Sequence, residues 1–495
     1  MNSSVIHPLL IVSILVVYFG VLMVIAYFTS RNADTQTFFT ADKKSPWYLV
    51  AFGMIGTSLS GVTFISVPGN VGTTQFAYFQ FVLGNLVGYL VIATVLMPLY
   101  YRLNLISIYT YLEQRFGFWS YKTGSFFFLL SRTIGAAFRL FLVAAVLQIG
   151  VFEQWGIPFS VNVLITIFLI WIYTFQGGIK TIVWTDTFQT FFLVSAVAIS
   201  VYLISQELGL SMGQMVKTVS ESDYGQIFHW DPKSSKYFWK QFIAGAFIAI
   251  AMTGLDQDLM QKNLTCKNLQ DAQKNMLSFC TVFVVVNLLF LTLGALLYIF
   301  AQNRGIAIPE RTDYLYPTLA LQHFGVLAAV FFLLGITASS YASADSALAA
   351  LTTAFCIDFL NFDKRAEKDR EKLKFRVHVG FSVLLYLIIL LFEALNDNNV
   401  VTAVFTAAGY TYGPLLGLFA FGMVTKLPVR DRFVPLVCLI SPIICYIINK
   451  NSEAWLGGYK FGFEILILNG FLTFMGLLLL SKKRVAEPEV TQVSR

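Results

Sequence analysis

From residue 9 to residue 28 the chain reads LLIVSILVVYFGVLMVIAYF, twenty residues without a charge. A helix of that length rises about 30 Å, the thickness of the hydrocarbon layer of a bilayer. Runs of this kind recur along the chain. Lipid offers no partner to a backbone N–H or C=O, so a spanning segment is a helix or part of a closed barrel. Barrel strands alternate polar and apolar residues over about ten positions, and these runs do not alternate. The chain therefore reads as an all-α integral membrane protein. Composition agrees: 57% of the residues are hydrophobic and 12% are charged, against about 25% charged in a soluble domain.

About thirteen transmembrane helices are expected, near 6–28, 46–68, 77–101, 120–148, 157–175, 184–206, 240–262, 275–301, 323–358, 374–394, 399–424, 431–449 and 460–481. The ninth is too long for one span and is expected to extend into the cytoplasm as far as Asp358. Of the 34 Lys and Arg, 24 fall in alternate loops beginning with 29–45, Lys262 among them, 8 in the opposite loops and 2, Arg132 and Arg139, inside a helix. Cytoplasmic loops carry the excess of Lys and Arg. The N-terminus is thus expected outside a plasma (inner) membrane and the C-terminus inside, which an odd number of spans satisfies. The same loops account for the net charge of +7 without a nucleic-acid partner.

Five cysteines, Cys266, Cys280, Cys356, Cys438 and Cys445, show no metal-ligand spacing. The first apolar run has neither a basic leader nor an A-x-A site and reads as a retained helix. The charge run FDKRAEKDREKLKFR (362–376) reads as a solvated helix extension. Residues 206–239 form the longest outside loop, with Trp230 and Trp239 as interface or lid residues, and 482–495 reads as an unstructured tail. No P-loop is visible, which argues against ATP-driven chemistry. No nucleophile, base and orienter form a set, so an enzyme is not expected.

Two spans carry residues that break helices or bind ions. GTSLSGVTFISVPG (56–69) places Gly56, Thr57, Ser58, Ser60, Gly61 and Thr63 at mid-span. Small residues let helices pack closely, yet this density points to a discontinuous helix that frees backbone carbonyls near the midplane. TASSYASADSALAALTT (337–353) places Ser339, Ser343 and Ser346 on one face at i, i+4 and i+7, with Asp345 in the same span. A carboxylate inside a membrane costs at least about 2.5 kcal/mol and normally faces a partner, an ion or water. Oxygen ligands suit a hard cation such as Na⁺. Asp186 opens the sixth expected helix, where a helix cap is the plain alternative to ion binding. Arg132 and Arg139 lie about 10 Å apart along one helix face, and each awaits either a structural carboxylate or an anionic ligand.

These segments resemble the sodium/solute symporter family, which includes transporters of sugars, sialic acid, proline, iodide and vitamins. GTSLSGVTFISVPG is similar to the family's first core helix. YTFQGGIKTIVWTD (173–186) is similar to its Gly-Gly loop and aspartate, and LDQDLMQKNLTCKNLQDAQKN (255–275) to its Asp-Gln-rich segment. SSYASADSALAALTTAFCID (339–358) is similar to its Ser-rich eighth core helix, and GPLLGLF (413–419) to its tenth. The resemblance runs through nearly the whole chain in the family's order. It implies a leucine-transporter-like 5+5 inverted-repeat core with three extra helices. The first additional helix and its loop would then occupy 1–45, repeat one 46–206, an extracellular loop 207–239, repeat two 240–424, two additional helices 425–481 and the tail 482–495.

The resemblance also implies a function: sodium-coupled import of a small polar solute, a sugar, sialic acid or related carboxylate, by alternating access. Na⁺ is the coupling ion and lipid the surroundings; a monomer is compatible with this. One sodium is implied at the carbonyls of Gly56, Leu59 and Ser339 and at positions 342 and 343. Here Ala342 stands where Ser or Thr is usual, and Ser343 is kept. A second, as in some sialic acid members, is implied around Asp186, Ser343, Asp345 and Ser346. Ser60 and Thr63 match substrate hydroxyls, and Gln80 matches a polar contact. The family's arginine maps beside Ala136, with Arg139 about one turn beyond. A proton-coupled symporter using Asp345 and Asp186 is the alternative; a channel or sensor on the same core is a more distant one.

Overall fold

The computed structural model describes residues 8–30, 41–360, 362, 365–395 and 400–481. The tail at 482–495, residues 31–40 of the first loop and part of the charge run at 362–376 lie outside the described residues. The described residues are helices joined by turns, with two isolated bridges, Ser45 to Cys266 and Val429 to Ser481.

In chain order the apolar helices are α1 (Pro8–Ser30), α2 (Trp47–Ser58 and Gly61–Thr74), α3 (Ala77–Arg102), α4 (Phe118–Trp155), α5 (Phe159–Ile172), α6 (Gly178–Glu207) and α7 (Phe238–Gly254 and Gln257–Asn263). Then follow α8 (Leu269–Arg304), α9 (Gly325–Leu360), α10 (Glu367–Leu395), α11 (Val400–Thr411 and Gly413–Val424), α12 (Val434–Lys450) and α13 (Ile465–Leu479). Eight are long and apolar enough to cross a membrane unbroken, and three more qualify as bent pairs. Two shorter apolar helices, α5 and α13, stand at the remaining expected positions. A separate linker was expected between α5 and α6. Instead the backbone stays helical and turns only at Gly178, whose φ of 52° favours glycine.

The three bends are 55° in α2, 71° in α7 and 43° in α11. α2 and α7 are the first helices of the two expected halves, so each half opens with a broken helix. The first segment of α7 crosses α3 at glycines. A Cβ on Gly84 of α3 would stand 1.9 Å from the Phe242 carbonyl oxygen of α7, and one on Gly245 of α7 would stand 2.1 Å from that of Phe81 on α3. Small residues of this kind replace the hydrophobic effect as the means of close helix approach in lipid.

α9 runs through the middle. Every residue from Gly335 to Ala354 is buried, as expected of a helix surrounded on all sides. It packs on α2, α4, α6 and α10. Gly335 makes room for the Phe64 ring of α2 and the Ala196 methyl of α6. The Ser-rich face of α9 thereby meets the break in α2.

Candidate functional site

The break in α2 lies at Leu59 and Ser60, where the backbone leaves the helix (φ −88°, ψ 66°, then φ −65°, ψ 175°). The last carbonyls of the first segment therefore lose their intrahelical partners. Two hydroxyls of α9 reach them: Ser339 Oγ donates to the Leu59 carbonyl at 3.2 Å, and Ser343 Oγ donates to the Thr57 carbonyl at 3.0 Å. Three further hydroxyls, those of Ser58, Thr337 and Ser340, are buried without a hydrogen-bond partner among the described residues. Ser340 Oγ stands 2.3 Å from where a Cβ on Gly61 would be, so only glycine at 61 lets that hydroxyl face the break.

The break in α7 is built differently. Tyr100 and Tyr109 donate their hydroxyls to the Gly254 and Leu255 carbonyls at 2.8 and 2.9 Å. Asp256 caps the second segment by accepting from the backbone N–H groups of Asp258 and Leu259, and it also takes the hydroxyl of Tyr412 from the break in α11. That break is closed by large, fixed donors. The break in α2 is lined by short hydroxyls that turn freely about one bond and can present oxygen to a cation instead. Of the residues expected at the first ion site, the structure brings Leu59, Ser339 and Ser343 together. The carbonyl that Ser343 meets is that of Thr57, one residue on from Gly56. Ala342 is buried and contributes a methyl group.

The residues expected at a second ion site are otherwise engaged. Asp186 lies well inside α6 and is fully buried, so it is not a helix cap. Its Oδ2 accepts from Thr57 Oγ1 at 3.0 Å and is paired with the ammonium of Lys262. Lys262 also donates to Thr57 Oγ1 and is 1% exposed. Its expected place in a cytoplasmic loop is therefore corrected: the second segment of α7 carries it back into the interior. Removing one lysine leaves the loop charge bias intact. One turn earlier on the same face, Asp258 is paired with Arg132 of α4 and accepts from Ser346 Oγ of α9. Arg132 thus meets a structural carboxylate. Asp345 is buried, one oxygen accepting from the Ser346 backbone N–H at 2.5 Å.

Against the α2 break lies a cavity of about 80 Å³, lined among others by Ser60, Thr63, Tyr78, Asn85 and Arg139. Arg139 is 8% exposed, and its Nε has no hydrogen-bond partner among the described residues. Tyr78 also lines a neighbouring cavity of about 240 Å³ with Lys236, Gln241 and Phe463. Gln80 is not in the central cavity. Its amide donates to the Lys236 carbonyl at 2.9 Å and accepts from the His229 N–H at 3.1 Å, which pins the loop before α7. Asn85 was not anticipated, although a lone amide inside FVLGNLVGYL is a visible signal; its Oδ1 is buried and has no hydrogen-bond partner among the described residues.

This arrangement has relatives. The sodium/sialic acid symporter of Aliivibrio fischeri is 25% identical over 428 residues, covering 83% of this chain and 82% of that protein. The mouse sodium-coupled monocarboxylate transporter 1 is 25% identical over 434 residues, covering 82% of this chain and 68% of that protein. The solved structure of a Na⁺-coupled sialic acid symporter in a substrate-bound outward-open state shares the fold, with a TM-score of 0.81 at 18% identity over 95% of this chain and 98% of that one. The sodium:solute symporter family profile matches residues 38–427, a stretch that takes in all three broken helices and the Ser-rich helix between them. By that match the chain belongs to the sodium:solute symporter family.

Proposed function

We propose that this protein imports a small solute bearing a carboxylate, coupled to Na⁺, by alternating access. The observation that carries the reading is Arg139. A guanidinium buried in a membrane core is costly unless something pairs with it, and this one faces a cavity beside the oxygen-lined break in α2. A carboxylate fits its fork of donors in a bidentate manner. Ser60 and Thr63 then meet the solute's remaining polar groups, and Asn85 adds an amide. Both relatives named above are, by name, transporters of carboxylates, which supports the same class here.

In this scheme Na⁺ enters between the α2 break and α9, held by oxygens at Gly56 or Thr57, Leu59, Ser339 and Ser343. It fixes the two segments of α2 relative to α9 and so shapes the cavity edge that carries Ser60 and Thr63. Solute and ion together favour a closed state by their differential affinity for it. Reopening on the opposite side releases both. The Na⁺ concentration gradient drives the cycle, and the membrane potential adds about 2.3 kcal/mol per net charge moved for each 100 mV. The repeats are assigned to 46–206 and 240–424. The N-terminus is placed outside the plasma membrane and the C-terminus in the cytoplasm, with the cavity shared by Tyr78 and Lys236 on the outer side.

The test is a thermal-shift and calorimetric screen of the purified protein against N-acetylneuraminate, short monocarboxylates and their neutral amides, with Na⁺ or K⁺. A carboxylate should stabilise the protein in Na⁺ only, and Arg139→Ala should weaken its binding about 30-fold or more, the cost of removing one partner of a buried charge pair. Equal binding of the neutral amide, or no effect of Arg139→Ala, would move the pocket or the solute class elsewhere.

A further inference from the structure

We propose that the Lys262 ammonium takes the place of a second sodium ion, so that the protein carries one Na⁺ per transport cycle. This rests on the symport reading above and refines its stoichiometry.

The residues that would make a second site do not converge on an empty position. Asp186 is paired with a cation that the chain itself supplies, and the two serines are turned to other partners. Asp186 Oδ2 and Thr57 Oγ1 both bind Lys262 Nζ. Ser346 gives its hydroxyl to Asp258, and Ser343 gives its own to the Thr57 carbonyl. Position 342 offers only a methyl group. Asp186, Thr57 and Lys262 are each no more than 1% exposed, and Lys262 is among the largest fully buried side chains of the protein.

An ammonium and a sodium ion carry the same charge. Both satisfy a buried carboxylate, and both link the elements that surround it. A sodium ion at Asp186 would have to displace the ammonium, and a lysine whose stem is enclosed by the protein has no water to move into. Leaving it in place beside the ion would set two like charges against each other where solvent screens little. Lys262 is also tethered. The helical segment that carries it is fixed by the Asp258 link to Arg132 and Ser346, one turn away. The first ion position, between the α2 break and α9, contains no such internal cation among the described residues. Lys262 thus satisfies the Asp186 carboxylate permanently, and in doing so it ties α7 to α2 and α6.

The inference is tested by counting bound ²²Na⁺ on the purified full-length protein, without solute. The wild type should bind one ion per protein. Lys262→Met opens the position and leaves Asp186 in place, so the count should rise to two. The double variant Lys262→Met with Asp186→Asn should return it to one. If Lys262→Met fails to fold, Lys262→Ser, which leaves room for water beside Asp186, takes its place with the same expected count of two, and a count of one on it overturns the proposal. Two ions on the wild type, or one on a folded Lys262→Met protein, would overturn this proposal while leaving sodium coupling intact. No bound sodium on the wild type would overturn sodium coupling itself, and this proposal with it.

Discussion

Ser343 and Ala342 are consecutive on α9, and Ser343 supplies one of the two α9 hydroxyls that bond the α2 break, Ser339 the other. Ser343 Oγ lies 3.0 Å from the Thr57 carbonyl as a donor. In the proposed cycle the hydroxyl hydrogen turns away when Na⁺ enters, and the oxygen becomes a ligand. Ser343→Ala should therefore raise the half-saturating Na⁺ concentration about tenfold, a loss of about 1.4 kcal/mol. Ala342→Ser should work the other way and lower it about threefold, because it adds an oxygen to a hard-cation site. Initial rates of solute uptake against external Na⁺ read both changes. No shift in either variant would remove α9 from the ion site.

The second segment of α7, Gln257–Asn263, is only seven residues long, yet with its cap it bonds to α2, α4, α6, α9, α11 and the turn after α3. Asp256 at its cap reaches Tyr412 of α11. Gln257 holds the turn after α3 through the Ile108 N–H at 2.9 Å and the Ile106 carbonyl at 2.7 Å. Asp258 pairs with α4, and Lys262 with α6 and α2. Removing one partner of a buried pair leaves the other charge stranded, at about 3–5 kcal/mol. Asp258→Asn should accordingly lower the melting temperature of the purified protein in detergent by several degrees. The double variant Asp258→Met with Arg132→Met should recover most of the loss, since an apolar pair of similar volume replaces a buried ion pair at little cost. A double variant no better than the single would mean that the pair contributes through something other than its charges.

Most of the architecture was legible in the sequence, because in lipid the backbone must satisfy itself and apolar length alone marks a helix. The break in α2 was legible too, from six small or hydroxylated residues in the stretch from Gly56 to Thr63, and so was the serine face of α9. Ser60, Thr63 and Arg139 do line one cavity. Lys262, Asp258 and Gln80 were not placed correctly or were not singled out, for one shared reason. Their partners are far away in the chain: Lys262 meets Asp186, Asp258 meets Arg132, and Gln80 meets Lys236. A lysine near a helix end looks like any cytoplasmic lysine until the bend in α7 turns it inward. Only the pair of charges four residues apart, Asp258 and Lys262, between apolar stretches hinted at it.

At the scale of the whole molecule the central claim is that two broken helices and α9 form one device in which Na⁺ drives a solute across the membrane. Purified protein in liposomes, with the membrane potential clamped by K⁺ and valinomycin, tests it most directly. Uphill accumulation of a radiolabelled carboxylate found by the binding screen should appear when Na⁺ is higher outside than inside. It should collapse when the Na⁺ gradient is removed and should survive a protonophore. Accumulation that persists without sodium and vanishes with the protonophore would contradict the account.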